Sequence, residues 1–219
     1  MSKRIIVSGA YGVGKSEFCV QYALQHAPCT IGDFDILNPF FRPREIKDWL
    51  RKYRIDVIDS HLHEGLNQDV PAMSFAFQQA ILNDETILID CAGSVNGLNP
   101  LKSLSKAFDD AHFYVVINLN RAQSQLHHIE TMIEQFERLS NRHVNGFIHN
   151  THLCEETTSQ MIIDAQKELE ILSKKLHIPI LITMLEEKFR LECIGFINNE
   201  ILSFKENRLR EKWMKGDTR

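Results

Sequence analysis

Apolar, β-branched runs alternate with helical patterns along almost the whole chain. Runs such as "TILID" and "FYVVINL" are apolar at nearly every position instead of every second one. A strand that reads this way is covered on both faces, as in a parallel sheet with helices above and below. On this pattern strands are predicted over 4–8, 30–33, 55–58, 86–90, 113–119, 144–149 and 180–183. Between them, Leu126, Ile129, Ile133, Phe136 and Leu139 recur at spacings of three and four, which predicts one helix with a single buried stripe. Ile162, Ala165, Leu169, Leu172 and Leu176 predict the next, and Thr157 with Gln160 can open it as a capping box. Pro71 suits the first turn of a helix running to about Leu82. Strand, helix, strand, repeated, predicts an α/β fold: a doubly wound, mostly parallel sheet of about seven strands with helices on both faces.

The 219 residues fit one such domain, spanning 1–219 without an internal repeat or linker. From about residue 200 the chain reads as an amphipathic extension, ending in "FKENRLREKWMKGDTR", where acids interrupt the bases. A net charge of −4 argues against a broad nucleic-acid surface, and no nucleic-acid partner is expected. Five cysteines, odd in number and never spaced C-x-x-C, form neither a disulfide framework nor a zinc ribbon. Reduced thiols and a cytoplasmic location are expected. "MSKRIIVSGA" is basic then apolar, but its apolar run is too short for a signal peptide and leads straight into a glycine loop. No run is long enough to span a bilayer, so no membrane is expected.

That loop, "GAYGVGKSEF", matches the phosphate-binding pattern G-x-x-x-x-G-K-[ST] at Gly9, Gly14, Lys15 and Ser16. It lies between a predicted strand and a predicted helix, which is the context the motif needs. Gly9, Gly12 and Gly14 allow successive N–H groups to turn inward at phosphate oxygens, and the helix start adds its positive end. Lys15 can reach the β- and γ-phosphates, and the Ser16 hydroxyl is a magnesium ligand. The candidate nucleotide-binding stretch is Gly9, Ala10, Tyr11, Gly12, Val13 and Gly14, continuing into Lys15, Ser16 and Glu17.

Two further segments should reach the carboxyl ends of strands, where ligands bind in open α/β sheets. "DFDILNPFFRPRE" places Asp33 and Asp35 two residues apart, and "ILIDCAG" ends an apolar strand in Asp90 with Gly93 three residues on. Burying Asp90 without a cation would be costly, so it is a candidate magnesium ligand. Gly93 offers a backbone N–H to the γ-phosphate. Asp33 and Asp35 read either as site residues or as turn formers leaving the sheet.

Taken together, "GAYGVGKS", the D-x-D segment and "DCAG" resemble the SIMIBI class of P-loop NTPases, which includes septum-site and partition ATPases, the nitrogenase iron protein, and nickel- and cobalt-insertion NTPases. More narrowly, "DFDILNPFFRPRE", "DVPAMS" and "DCAGSVNGL" resemble an uncharacterised bacterial ATP-binding family with "DLDIVNPYFRSRE"-like and "DIPAL"-like segments. The resemblance runs from about Lys3 to Met184. It implies phosphate and magnesium on Lys15 and Ser16, an attacking water oriented by Asp35 or Asp33, and Asp90 in the switch beside the γ-phosphate. Asp33 is the better placed of the pair to hold magnesium through water. The partition-type signature lysine, which reaches a partner's nucleotide, is replaced here by Ala10. A nucleotide-sandwich dimer is therefore in doubt.

At "GFIHNTHL", Asn150 fits the first position of the guanine-reading N-K-x-D pattern, while Leu153 replaces the discriminating acid. Adenine is favoured, with Asn150 near the nucleotide, or else Asn150 only caps the next turn. Arg42 and Arg44 either face a phosphate or second ligand, or pair in solvent with Glu45. His61 and His63 have metal-like spacing without a third ligand, and Cys91 reads as a small buried residue. His127 and His128 read as helix surface. The leading expectation is a slow, magnesium-dependent ATPase that couples nucleotide state to a protein partner. The alternatives are a small-molecule kinase using the same loop, or a nucleotide-binding regulator without useful hydrolysis.

Overall fold

The structure is a computed structural model that describes residues 3–35, 42–59, 75–83, 85–93, 97–98, 101 and 108–209. Pro71, the "NPFF" loop, the "DVPAMS" segment, His61, His63 and the tail from residue 210 lie outside the described residues.

Among the described residues, eight strands form one sheet: β1 (Arg4–Gly9), β2 (Cys29–Phe34), β3 (Ile55–Asp59), β4 (Thr86–Cys91), β5 (His112–Ile117), β6 (Val144–His149), β7 (Ile180–Glu186) and β8 (Glu200–Phe204). Their order is β3-β2-β4-β1-β5-β6-β7-β8, and every neighbouring pair is parallel. The helices are α1 (Lys15–Gln25), α2 (Lys47–Arg51), α3 (Phe75–Leu82), α4 (Leu126–Ser140), α5 (Ser159–Leu176) and α6 (Arg190–Cys193). Successive residues of β1 and β5 feed opposite sides of the sheet. Ile5, Val7, Tyr114 and Val116 pack with Phe18 of α1 in one core, whereas Ile6, Phe113 and Val115 pack with Ile129 and Phe136 of α4 in the other. This two-sided burial is the reason those strands are apolar throughout.

The expected strands are all present, with three changes that have local causes. The segment read as an amphipathic extension from about 200 instead supplies the eighth strand. Only Leu202 and Phe204 of β8 are buried, so its sequence alternates as an edge strand does, and both side chains join the core of α1. The fifth strand stops at Ile117, not at 119. Asn118 ends it, because its Oδ1 accepts from the Asn120 N–H at 3.1 Å and its own N–H turns to Ser124 Oγ at 3.3 Å. The cap of α5 is Thr158, whose Oγ1 accepts from Met161 N–H at 3.2 Å, while Thr157 Oγ1 accepts from Leu153 N–H at 2.8 Å. Either threonine could cap the helix; the loop before it takes the first.

Among the described residues, no helix is long and apolar enough to cross a membrane.

Candidate functional site

The strand ends bring the predicted residues together. Gly9 closes β1, and the loop that follows holds Gly9, Gly12 and Gly14 at φ of 147°, 72° and 91°. Gly14 is also a close approach: a β-carbon there would stand 2.3 Å from Asn150 Nδ2. Asn150, the first residue after β6, donates from that nitrogen to Val13 O at 2.8 Å. It therefore braces the phosphate loop directly, and does not serve as a cap for the turn after it. Its Oδ1 is buried without a hydrogen-bond partner among the described residues, as is Ser8 Oγ.

Lys15 opens α1 and is buried. Its Nζ donates back to Ala10 O at 3.0 Å. Burial lowers the pKa of this ammonium, and the nearby Asp90 and Asp35 oppose the shift. Asp90 lies in β4 beside Asp33 of β2 on one side and Val7 of β1 on the other. It is fully buried, and neither carboxylate oxygen has a hydrogen-bond partner of normal geometry among the described residues. Burial pushes its pKa up to about 7; the Ser16 hydroxyl and the Lys15 ammonium offset only part of that. A carboxylate buried beside a lysine and a hydroxyl, with its lone pairs unfilled, suits a divalent cation.

The loop after β4 rests against the phosphate loop at Gly93. A β-carbon at Gly93 would stand 2.8 Å from Lys15 Nζ and 2.9 Å from the Tyr11 backbone nitrogen, so glycine alone permits this approach.

Asp33 and Asp35 differ. Asp33 is fully buried; its Oδ2 accepts from Arg44 Nε at 2.6 Å and its Oδ1 from the Asp35 N–H at 3.3 Å. Arg44 Nη2 also donates to Asp35 O at 3.4 Å. Arg44 thus clasps the D-x-D segment and is not a solvated partner of Glu45. The assignment of Asp33 to magnesium meets an obstacle here, because both its oxygens are engaged. Arg42 Nε is buried without a partner among the described residues. Glu17, counted with the loop in the sequence, turns its carboxylate away from the phosphate side. It accepts from the N–H groups of Arg208 at 2.8 Å and Leu209 at 3.0 Å.

A second polar cluster, not foreseen from the sequence, supports the loop after β6. Buried His149 meets Gln166 Oε1 of α5 through Nδ1 at 2.8 Å and Thr151 Oγ1 through Nε2 at 2.8 Å. Gln166 Oε1 also accepts from Thr183 Oγ1, and Gln166 Nε2 donates to Asn199 Oδ1, both at 2.9 Å. The ring fits as a neutral imidazole that donates from Nδ1 and accepts at Nε2. Burial pulls its pKa down to about 4, against the hydrogen bond with Gln166. Nothing in the spacing of these polar residues distinguishes them from surface ones. Of the other candidates, Cys91 is fully buried, and burial holds its thiol protonated. His127 and His128 lie on α4, and both are exposed.

The all-parallel, doubly wound sheet, with a glycine loop after its first strand, is a fold this chain shares with solved structures. Among solved structures, the chain is similar to the signal recognition particle receptor FtsY from Elizabethkingia anophelis in complex with GDP. That similarity has a TM-score of 0.56 at 17% identity, over 85% of this chain and 58% of that one. The chain therefore spans less than two thirds of the length of the receptor it matches. A scan against protein-family models and a search of curated proteins found no match.

Proposed function

We propose that this chain is a P-loop ATPase of low intrinsic rate whose nucleotide state is read by a protein partner. The observation that carries the reading is Asp90, a buried carboxylate without hydrogen-bond partners among the described residues, next to Lys15 at the mouth of the glycine loop. On this reading the loop N–H groups and Lys15 hold the phosphates, and Asp90 with Ser16 would hold magnesium. When bound, magnesium offsets charge on the phosphate oxygens. Asp35, just beyond the end of β2, orients the attacking water, while Arg44 keeps Asp33 in place. A slow rate follows from Arg44 being engaged with Asp33 in the nucleotide-free protein, so that no arginine stands preorganised at the transferred phosphate.

The test is phosphate release from ATP with and without magnesium. Turnover well below about 10 s⁻¹ is expected, with none in chelator. Rapid phosphate transfer to a small acceptor in a metabolite screen would favour a kinase instead. Asp35→Asn should keep ATP binding and lose single-turnover hydrolysis by about 10²-fold or more. Hydrolysis at the parent rate would make the D-x-D segment structural.

ATP should compete at least about five-fold better than GTP. Guanine needs a fixed acid to accept from its two ring-edge donors, and an unpaired buried donor costs about 1–3 kcal/mol. Leu153 cannot accept. Glu186, at the end of β7, is taken by His152 Nε2 and Lys188 Nζ at 2.9 and 2.8 Å. A competition assay in which GTP displaces ATP would sink this part of the reading.

A further inference from the structure

After β8 the chain turns back across α1, and Glu17 receives it. Glu17 is buried, with Oε1 accepting from the Arg208 N–H at 2.8 Å and Oε2 from the Leu209 N–H at 3.0 Å. One turn along α1, Gln21 Nε2 donates to Glu206 O at 2.9 Å and to Glu17 Oε1 at 2.6 Å. A further turn on, Gln25 donates to Ser203 O at 2.9 Å. On its other side the same segment reaches α2: the Arg208 guanidinium lies 4.8 Å over the Trp49 ring and pairs with the Glu206 carboxylate. Leu209 then enters the core that holds Phe18 and Leu50.

Residues 206–209 therefore join two helices with different duties. α1 begins with Lys15 and Ser16, so its start is fixed by whatever phosphate the loop holds. α2 continues directly from the 3₁₀ turn Pro43–Ile46, whose Arg44 clasps Asp33. An anion in the loop competes with Asp33 for that guanidinium, and magnesium competes with Lys15 and Arg44 for the aspartates. Either exchange would shift the turn, and Trp49 with it, relative to α1. A strap of four residues, held to α1 by two backbone N–H bonds to a buried carboxylate, would stay with α1 if the two helices separate. The weaker anchor is the half-exposed stack on Trp49, since a cation over an exposed ring is worth less than a charge-assisted pair of buried hydrogen bonds.

We propose that residues 206–209 form a latch that reports nucleotide occupancy: docked on Trp49 without nucleotide, and released from it when magnesium and ATP bind. The latch rests on the ATP-binding reading above. Coupling of this kind is reciprocal, so breaking the latch should tighten ATP binding.

The full chain carrying Trp213→Phe leaves Trp49 as its single tryptophan. A labelled ATP analogue reports binding in a separate titration. The expected result is a change in Trp49 emission on adding magnesium and ATP, with the same midpoint as analogue binding. Arg208→Ala should bind the analogue about five-fold more tightly. Glu17→Gln, which leaves Arg208 in place but spoils one of the two N–H contacts, should shift affinity in the same direction. Analogue binding without any change in Trp49 emission would overturn the latch and leave the ATP reading standing. Parent affinity in both variants would do the same. No analogue binding in the parent would overturn the ATP reading, and the latch with it.

Discussion

Lys15→Ala should lower affinity for a magnesium–triphosphate complex by about 10³-fold while leaving the sheet folded. The magnitude follows from losing two charge-assisted hydrogen bonds to phosphate oxygens, each worth about 1.5–3 kcal/mol. The geometry explains why folding survives. Lys15 is buried, but its Nζ spends its contact on Ala10 O, a carbonyl of its own loop that can turn to water in the variant. Removing the ammonium also takes away one of the two groups that pull the Asp90 pKa down. Asp90 then protonates at a higher pH still, so no second buried charge is stranded. Calorimetric titration with a non-hydrolysable ATP analogue, beside a thermal melt, checks both halves. Parent affinity with an intact melt would mean that phosphate does not sit in this loop.

The parts of this molecule that are legible in its sequence are those where one residue type answers to one physical demand. Strands buried on both faces must be apolar throughout, so β1, β4 and β5 can be found from hydrophobicity alone. Gly14 suits glycine because its φ is 91°, a conformation other residues rarely adopt, and both it and Asn150 belong to motifs that the sequence displays. The less legible features depend on which of several equivalent partners the fold brings close. Arg44 has Glu45 beside it in sequence, yet it pairs with Asp33, 11 residues back across the loop. Glu17 lies within the phosphate motif but answers to residues 208 and 209, at the other end of the chain. β8 carries just two buried side chains, too few to outweigh its charged flanks. The His149 cluster draws Gln166, Thr183 and Asn199 from separate elements, and no local pattern joins them.

In the nucleotide-free protein, Asp90→Asn should become progressively more stable relative to the parent as pH rises from about 4 to 7. In the unfolded chain Asp90 gives up its proton near 3.8, whereas in the fold it keeps it until about 7. Between those values the native state binds more protons than the unfolded state, so raising pH favours unfolding. Above pH 7 the whole penalty of holding a buried carboxylate is present, on the order of 4 kcal/mol. An asparagine side chain is uncharged at every pH, so the variant should be more stable than the parent at pH 8 and equal to it near pH 4. His149 works in the opposite sense: its pKa, lowered from 6.5 to about 4, destabilises the fold as pH falls through that window. It does so equally in both proteins, which is why the difference between them is the quantity to measure. Urea denaturation of parent and Asp90→Asn across pH 4–8, in chelator and without nucleotide, gives that difference directly. A constant difference across the range would mean that Asp90 already has a partner in the empty protein. Repeating the series with magnesium and ATP should reverse the order at pH 8, because a cation on the ionised carboxylate turns the penalty into a ligand contact that asparagine cannot supply.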